Sequence, residues 1–169
     1  REPGVDARAP GVTQQELRKE GYYRHLVELE FVKGYVDIPP KPGVTLIDSR
    51  PAARQYDPGH IPGAINIPDS HFEKLAADKL PLDRNQLLIF YCGGFECMLS
   101  HQSAFKAEKL GYTNIRVYAA GSPDWAKSGT GQAVSGAYIR KLQADKTAHL
   151  LIDARPGRVA GKGMIPGAI

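Results

Sequence analysis

Two stretches of this chain repeat one another. Residues 44–65 read VTLIDSRPAARQYDPGHIPGAI, and residues 149–169 read HLLIDARPGRVAGKGMIPGAI. Each holds L-I-D-[SA]-R-P, then a polar stretch, then I-P-G-A-I. Asp48 corresponds to Asp153 at an offset of 105 and Pro62 to Pro166 at 104, so one residue is missing between the two. Self-similarity of this kind marks one structural unit begun twice. Upstream, VTQQELRK resembles VSGAYIRK. Thr13 lies 35 residues before Asp48 and Ser135 lies 18 before Asp153, so the first copy carries 17 additional residues, an insertion near 21–37. The second copy reaches Ile169, where the first has more than 50 residues still to run. A piece of about 37 residues is too small to bury its own core. It is therefore expected to continue, or to pack against the first domain. The expected organisation is a tail or linker over 1–11, one domain over 12–130, and the start of a second, truncated repeat over 133–169.

Within the first copy, short apolar runs alternate with helical patterns. TLID (45–48), AINIP (64–68), LLIFY (87–91) and NIRVY (114–118) read as strands; the first, ended by polar residues, is typical of a buried parallel strand. SHQSAFKAEKLGY reads as a helix with Ala104, Ala107 and Leu110 on one face and Gly111 at its stop. Thr13 and Glu16 form a capping-box pattern. This alternation predicts an α/β fold, a central parallel sheet with helices on both faces.

The charge excess is small, +4, and its basic residues are scattered. With no basic stripe and no aromatic platform, a nucleic-acid partner is not expected. No run reaches the length of a membrane span, so no transmembrane segment is expected, and no signal peptide is visible.

Both cysteines lie in YCGGFECMLSHQSA, residues 91–104. Cys92 ends the LLIFY strand, where open α/β sheets place ligand sites. Gly93 and Gly94 let the backbone turn tightly and expose its N–H groups. A helix is expected to start near Ser100, a suitable N-cap. Converging N–H groups and a helix N-terminus stabilise a thiolate, which makes Cys92 a candidate nucleophile. The bland reading is a small buried residue closing a strand. A metal site is not expected, because two thiols and His101 make an incomplete tetrahedral set. His101 itself, a supporting residue of the site, is expected on the helix surface, with a role as a base the alternative.

At these residues the chain resembles the rhodanese-like domains, often found in tandem. LIDSRP, GHIPGAINIP, LLIFYC, LGYTNIRVY and GSPDW carry the resemblance over about residues 12–127, and LIDARP…IPGAI begins a second copy. The resemblance implies a small α/β fold and a sulfurtransferase in which Cys92 carries a persulfide. The backbone amides of Gly93, Gly94, Phe95, Glu96, Met98 and Leu99 are expected to form the anion cradle of that cysteine. The resemblance gives Asp48, Arg50, His60 and Gly63 mainly structural roles around the loop. It implies no cofactor. The expected partners are a small sulfur donor and a thiol acceptor, small or protein.

The loop departs from the family pattern. Active members commonly have six residues from the cysteine, often ending in Arg, before a helix that starts with Ser. Here Cys92–Leu99 spans eight, contains no Arg or Lys, and holds Glu96. Weaker charge pairing with thiosulfate is expected. The added Cys97 offers resolution instead. Five residues apart in a curved loop, two Cα atoms can come within the ~4.4–6.8 Å of a disulfide, so Cys97 could attack a persulfide on Cys92, or the pair could cycle as a redox switch. The alternative is an unpaired loop thiol. A non-catalytic binding module is the competing function. Trp125 is expected to pack over the core edge, and Tyr22, Tyr23, Phe31 and Tyr35 to form a self-packed excursion, with an exposed docking face as the other option. Two bridgeable cysteines and a non-Met start fit the periplasm or cell surface, with the cytoplasm as alternative.

Overall fold

The computed structural model describes residues 18–169. The expected tail over 1–11 and the Thr13–Glu16 capping box lie outside the described residues. The chain forms two compact units, one ending at Ser135 and one spanning Gly136–Ile169.

The first unit is built on four parallel strands: β1 (Val44–Asp48), β2 (Ile65–Asn66), β3 (Leu87–Tyr91) and β4 (Ile115–Tyr118). Their order is β2-β1-β3-β4, with Asp48 opposite Tyr91 and Tyr91 opposite Tyr118. Every residue of β3 is buried, as a strand with strands on both sides and helices on both faces requires. Leu88 and Phe90 enter one core cluster, with Phe72 and Ala76 from the helix Phe72–Lys79 and Ala104 and Ala107 from the helix Leu99–Lys109. Leu87, Ile89 and Tyr91 enter the other, with Val32 from the helix Leu29–Lys33 and Trp125 from the helix Gly121–Lys127. Helices therefore cover both faces, as the alternation predicts.

The inward face of the helix Leu99–Lys109 carries Ser100, Ser103, Ala104 and Ala107. Residues this small let it lie close on the sheet. Leu110 departs from the predicted face. The helix ends at Lys109, and Leu110 turns outward to be half exposed.

The insertion is not a self-packed excursion. Tyr22, Tyr23, Leu26 and Val27 are buried in the two core clusters of the domain. Leu26 bridges to Val117 in parallel, so this strip lines the outer edge of β4. Phe31 packs against the second cluster, and Tyr35 stands exposed. Four apolar side chains in six residues find more area on the sheet than on one another.

The second unit contains the helices Gly136–Ala144 and Gly157–Ala160. Its Asp153 N–H donates to the Ile169 carbonyl at 2.8 Å, and the Ile169 N–H donates to Leu151 at 3.0 Å. These bonds bring the LLID stretch beside the end of the IPGAI stretch. No helix among the described residues is long and apolar enough to cross a membrane.

Candidate active site: the Cys92 loop

β3 delivers Cys92 to the carboxyl end of the sheet, 1% exposed. The chain then reverses. Gly94 takes φ +118, a conformation L side chains rarely adopt, while Gly93 does not use its freedom. The Cys97 N–H donates to the Gly94 carbonyl at 2.9 Å and folds Cys97 back over Cys92. The Cα atoms are 6.2 Å apart and the two sulfurs are joined as a disulfide. Cys97 is half-buried. Of the other loop residues, Gly93 and Glu96 are exposed and Gly94, Phe95, Met98 and Leu99 half-buried.

Ser100 is not the N-cap. Leu99 is already helical and Met98 holds the cap position with φ −94 and ψ −7. The turn closed on Gly94 leaves Met98 in near-helical conformation, so the helix starts earlier than the serine suggests and the loop before it is shorter by one residue. Ser100 sits in the first turn instead, with its N–H donating to Cys92 Sγ at 3.4 Å and its hydroxyl oxygen 3.2 Å from that sulfur. A donor there favours negative charge on Cys92 once the disulfide opens.

His101 is not on the surface either; it is fully buried. The insertion covers it. Tyr22 stacks on its ring with centroids 3.9 Å apart, and the Tyr23 N–H donates to Nδ1 at 2.9 Å. Nδ1 accepts, so the proton resides on Nε2, which has no partner among the described residues. Burial lowers its pKa to about 4. The ring is neutral near pH 7 and offers Cys92 no positive charge.

The same strip grips the loop. The Tyr22 hydroxyl donates to the Phe95 carbonyl. Burial, helped by the carboxylate of Glu96, pushes that phenol up to about 12, so it stays protonated and donating. Lys19 forms an ion pair with Glu96.

Beneath the loop, the Ser122 N–H donates to the Cys92 carbonyl at 2.9 Å. Gly121 has φ +62, and a Cβ there would stand 2.3 Å from the Cys92 oxygen, so only glycine fits. Arg50 holds this floor. It chelates Asp48, with Nε at 3.0 and 3.1 Å from the two oxygens, and donates to Ser122 Oγ at 2.9 Å and to the Gly59 carbonyl at 2.8 Å. Asp48 and Arg50 are buried, and the bonds to Asp48 help raise the Arg50 pKa against the burial that opposes its charge. His60 stacks on Tyr56 at 3.8 Å, with Nδ1 2.8 Å from the Tyr56 carbonyl. It faces that turn. Gly63, at φ +83, packs against Pro40. Sequence reasoning missed Lys19, Tyr22, Tyr23 and Ser122. The signal for Ser122 was the GSPDW motif; the Tyr22–Tyr23 pair had no periodicity to give it a face.

The rhodanese-like domain model matches residues 33–128. The chain belongs to the rhodanese-like domain family. Residues 18–32, which grip the loop, precede the matched stretch. The fold resembles that of the 3-mercaptopyruvate sulfurtransferase SseA of Escherichia coli, with TM-score 0.55 and 18% identity over 85% of this chain and 72% of that one. An uncharacterised Saccharomyces cerevisiae protein matches with TM-score 0.51 and 30% identity, over 62% of this chain and 92% of its own. In sequence, an HTH-type transcriptional regulator of Mycobacterium tuberculosis is 40% identical over 68 residues, 40% of this chain; the chain covers 28% of that regulator's length.

Proposed function

We propose that this rhodanese-like domain moves sulfane sulfur through Cys92, with Cys97 as the resolving thiol. In the reduced protein the Cys92 thiolate attacks the outer sulfur of a donor R–S–SH. A Cys92 persulfide forms and the donor leaves as RS⁻. Cys97 then attacks Cys92 Sγ, the Cys92–Cys97 disulfide forms, and HS⁻ departs. Two thiols R′SH reopen the disulfide and end as R′SSR′. Atoms balance as RSSH + 2 R′SH giving RSH, H₂S and R′SSR′. The reading needs neither metal nor cofactor.

The observation that carries it is the bonded pair at the end of a central strand, with the Ser100 N–H at the nucleophilic sulfur. A donor of low charge is preferred: the loop has no basic residue, Lys19 is engaged by Glu96, and Arg50 is held by Asp48. The periplasm or cell surface would supply an oxidising setting for such a pair.

Mass spectrometry of reduced Cys97→Ser protein after exposure to cysteine hydropersulfide tests the reading. One added sulfur on Cys92, absent in Cys92→Ser, is the expected result. No added sulfur overturns it. The competing reading, a non-catalytic module, is favoured by the match to a stretch of a transcriptional regulator. It requires saturable partner binding that survives Cys92→Ser.

We infer that Gly136–Ile169 begins a second rhodanese-like repeat. Its support is the pairing of Leu151–Asp153 with Ile169 and an Asp153–Arg155 chelate like that of Asp48 and Arg50.

A further inference from the structure

We propose that Tyr22 is a positioning residue for thiol exchange between Cys97 and Cys92. The proposal rests on reading that pair as an exchanging couple, and it assigns a role to a segment that precedes the family-matched stretch.

Phe95 lies between the two cysteines, at the top of the turn that must close for their sulfurs to meet. Its carbonyl accepts the Tyr22 hydroxyl. The phenol ring is itself fixed, stacked on His101 at 3.9 Å and 13° between planes. His101 is held in turn through Nδ1 by the Tyr23 N–H. It directly follows Ser100, whose N–H donates to Cys92 Sγ. One side chain thus spans from the helix turn that holds the nucleophile to the loop that carries the resolving thiol. Neighbouring residues add two contacts on the same loop. Lys19 pairs with Glu96. Gly21, at φ +85, lies so near Met98 that a Cβ would stand 3.2 Å from its Cε.

The chemical step needs this grip. Cys97 thiolate must reach Cys92 Sγ along the bond to the leaving sulfur; the Cys97–Cys92 bond forms as that bond breaks, and the electron pair departs on HS⁻ or on a thiolate. In a loop with two adjacent glycines, an untethered backbone samples many arrangements in which the sulfurs do not meet. A hydroxyl that pins the turn at Phe95 raises the effective concentration of Cys97 at Cys92 without touching either sulfur.

Tyr22→Phe keeps the stack on His101 and removes the hydroxyl. The disulfide of the full chain is equilibrated with reduced and oxidised glutathione. The effective concentration of Cys97 is expected to fall roughly five- to tenfold, the size of one net hydrogen bond. Lys19→Met moves it the same way by a smaller factor. Sulfur loading of Cys92 from cysteine hydropersulfide is measured separately in the Cys97→Ser background, where no exchange with Cys97 can occur. A hydroxyl with a merely structural role would destabilise oxidised and reduced protein alike and leave the glutathione equilibrium where it was. That result, in both Tyr22→Phe and Lys19→Met, overturns the proposal. If Cys92 takes up no sulfur, the persulfide reading fails, while the glutathione equilibrium still decides the role of Tyr22.

Discussion

The L-I-D-[SA]-R-P segment occurs twice, and its two copies differ in what surrounds them. In both, the arginine chelates the aspartate two residues earlier, its own N–H caps the same carboxylate, and its terminal nitrogen reaches a glycine carbonyl, Gly59 in one and Gly163 in the other. Gly63 and Gly167 share φ +83. Yet Ile47 is fully buried and Ile152 is 68% exposed; Ile61 is fully buried and Ile165 is half exposed. The turn and the ion pair are written in the segment itself. Burial comes from elsewhere, from β3 and from the helices that pack on both faces of the first unit's sheet.

The largest expected separation between the copies lies in the arginines. Arg50→Ala leaves a carboxylate buried without its partner, a loss of about 3–5 kcal/mol. Urea unfolding followed by Trp125, the single tryptophan, measures it. Arg155→Ala is expected to leave that transition unmoved, because Arg155 belongs to the other compact unit and its own side chain is half exposed.

Acid separates them next. The folded pKa of His101 is about 4, against 6.5 for the free side chain. As pH falls the unfolded chain takes the proton first. Stability of the first unit is full above about 6.5 and drains as pH falls toward 4, by roughly 3 kcal/mol at 1.36 kcal/mol per pKa unit. His101→Gln should flatten this slope. Asp153, held down to about 2 by its hydrogen bonds from Arg155, stays ionised through that whole window. Its local contribution is present above the ordinary carboxylate range and is lost only as pH falls toward 2. Amide exchange around 151–155 between pH 6.5 and 4 should therefore show no loosening of its own.

The smallest effect compares glycines. Alanine at either Gly63 or Gly167 meets the left-handed backbone penalty of roughly 1–2 kcal/mol. Only at Gly63 would the new Cβ also press on Pro40, 3.3 Å from Cγ; at Gly167 nothing lies within 4 Å. Gly63→Ala should lower the midpoint of the first unit by more than the turn penalty alone. Gly167→Ala should speed exchange at Ala168 and Ile169 by the turn penalty and no more.

Much of the fold was legible because β1, β3 and β4 are apolar runs in a sheet covered on both faces, and such runs announce themselves. The position of Cys92 followed from the end of LLIFY. The partners of the loop did not. Tyr22, Tyr23, Leu26 and Val27 lie in irregular chain, where neither a period of two nor of 3.6 residues assigns a face. Without knowing that this strip crosses the helix Leu99–Lys109, His101 could only be read as a polar residue on a helix, and so as exposed. The helix start at Leu99 was hidden for a related reason: a turn closed by backbone hydrogen bonding replaced the side-chain cap that Ser100 advertises.

The strip that crosses the helix also runs along the outside of β4, where the Val27 N–H donates to Val117 and the Val117 N–H to His25, each at 2.9 Å. At the opposite margin β2 has two residues, and the Lys79 ammonium occupies the Asn66 carbonyl at 2.8 Å. A parallel sheet with open margins is a template onto which a second molecule can add its own strand. Here one margin is already occupied by the chain and the other is too short, and too charged, to recruit a neighbour, so this sheet is guarded against growing edge to edge into a fibril.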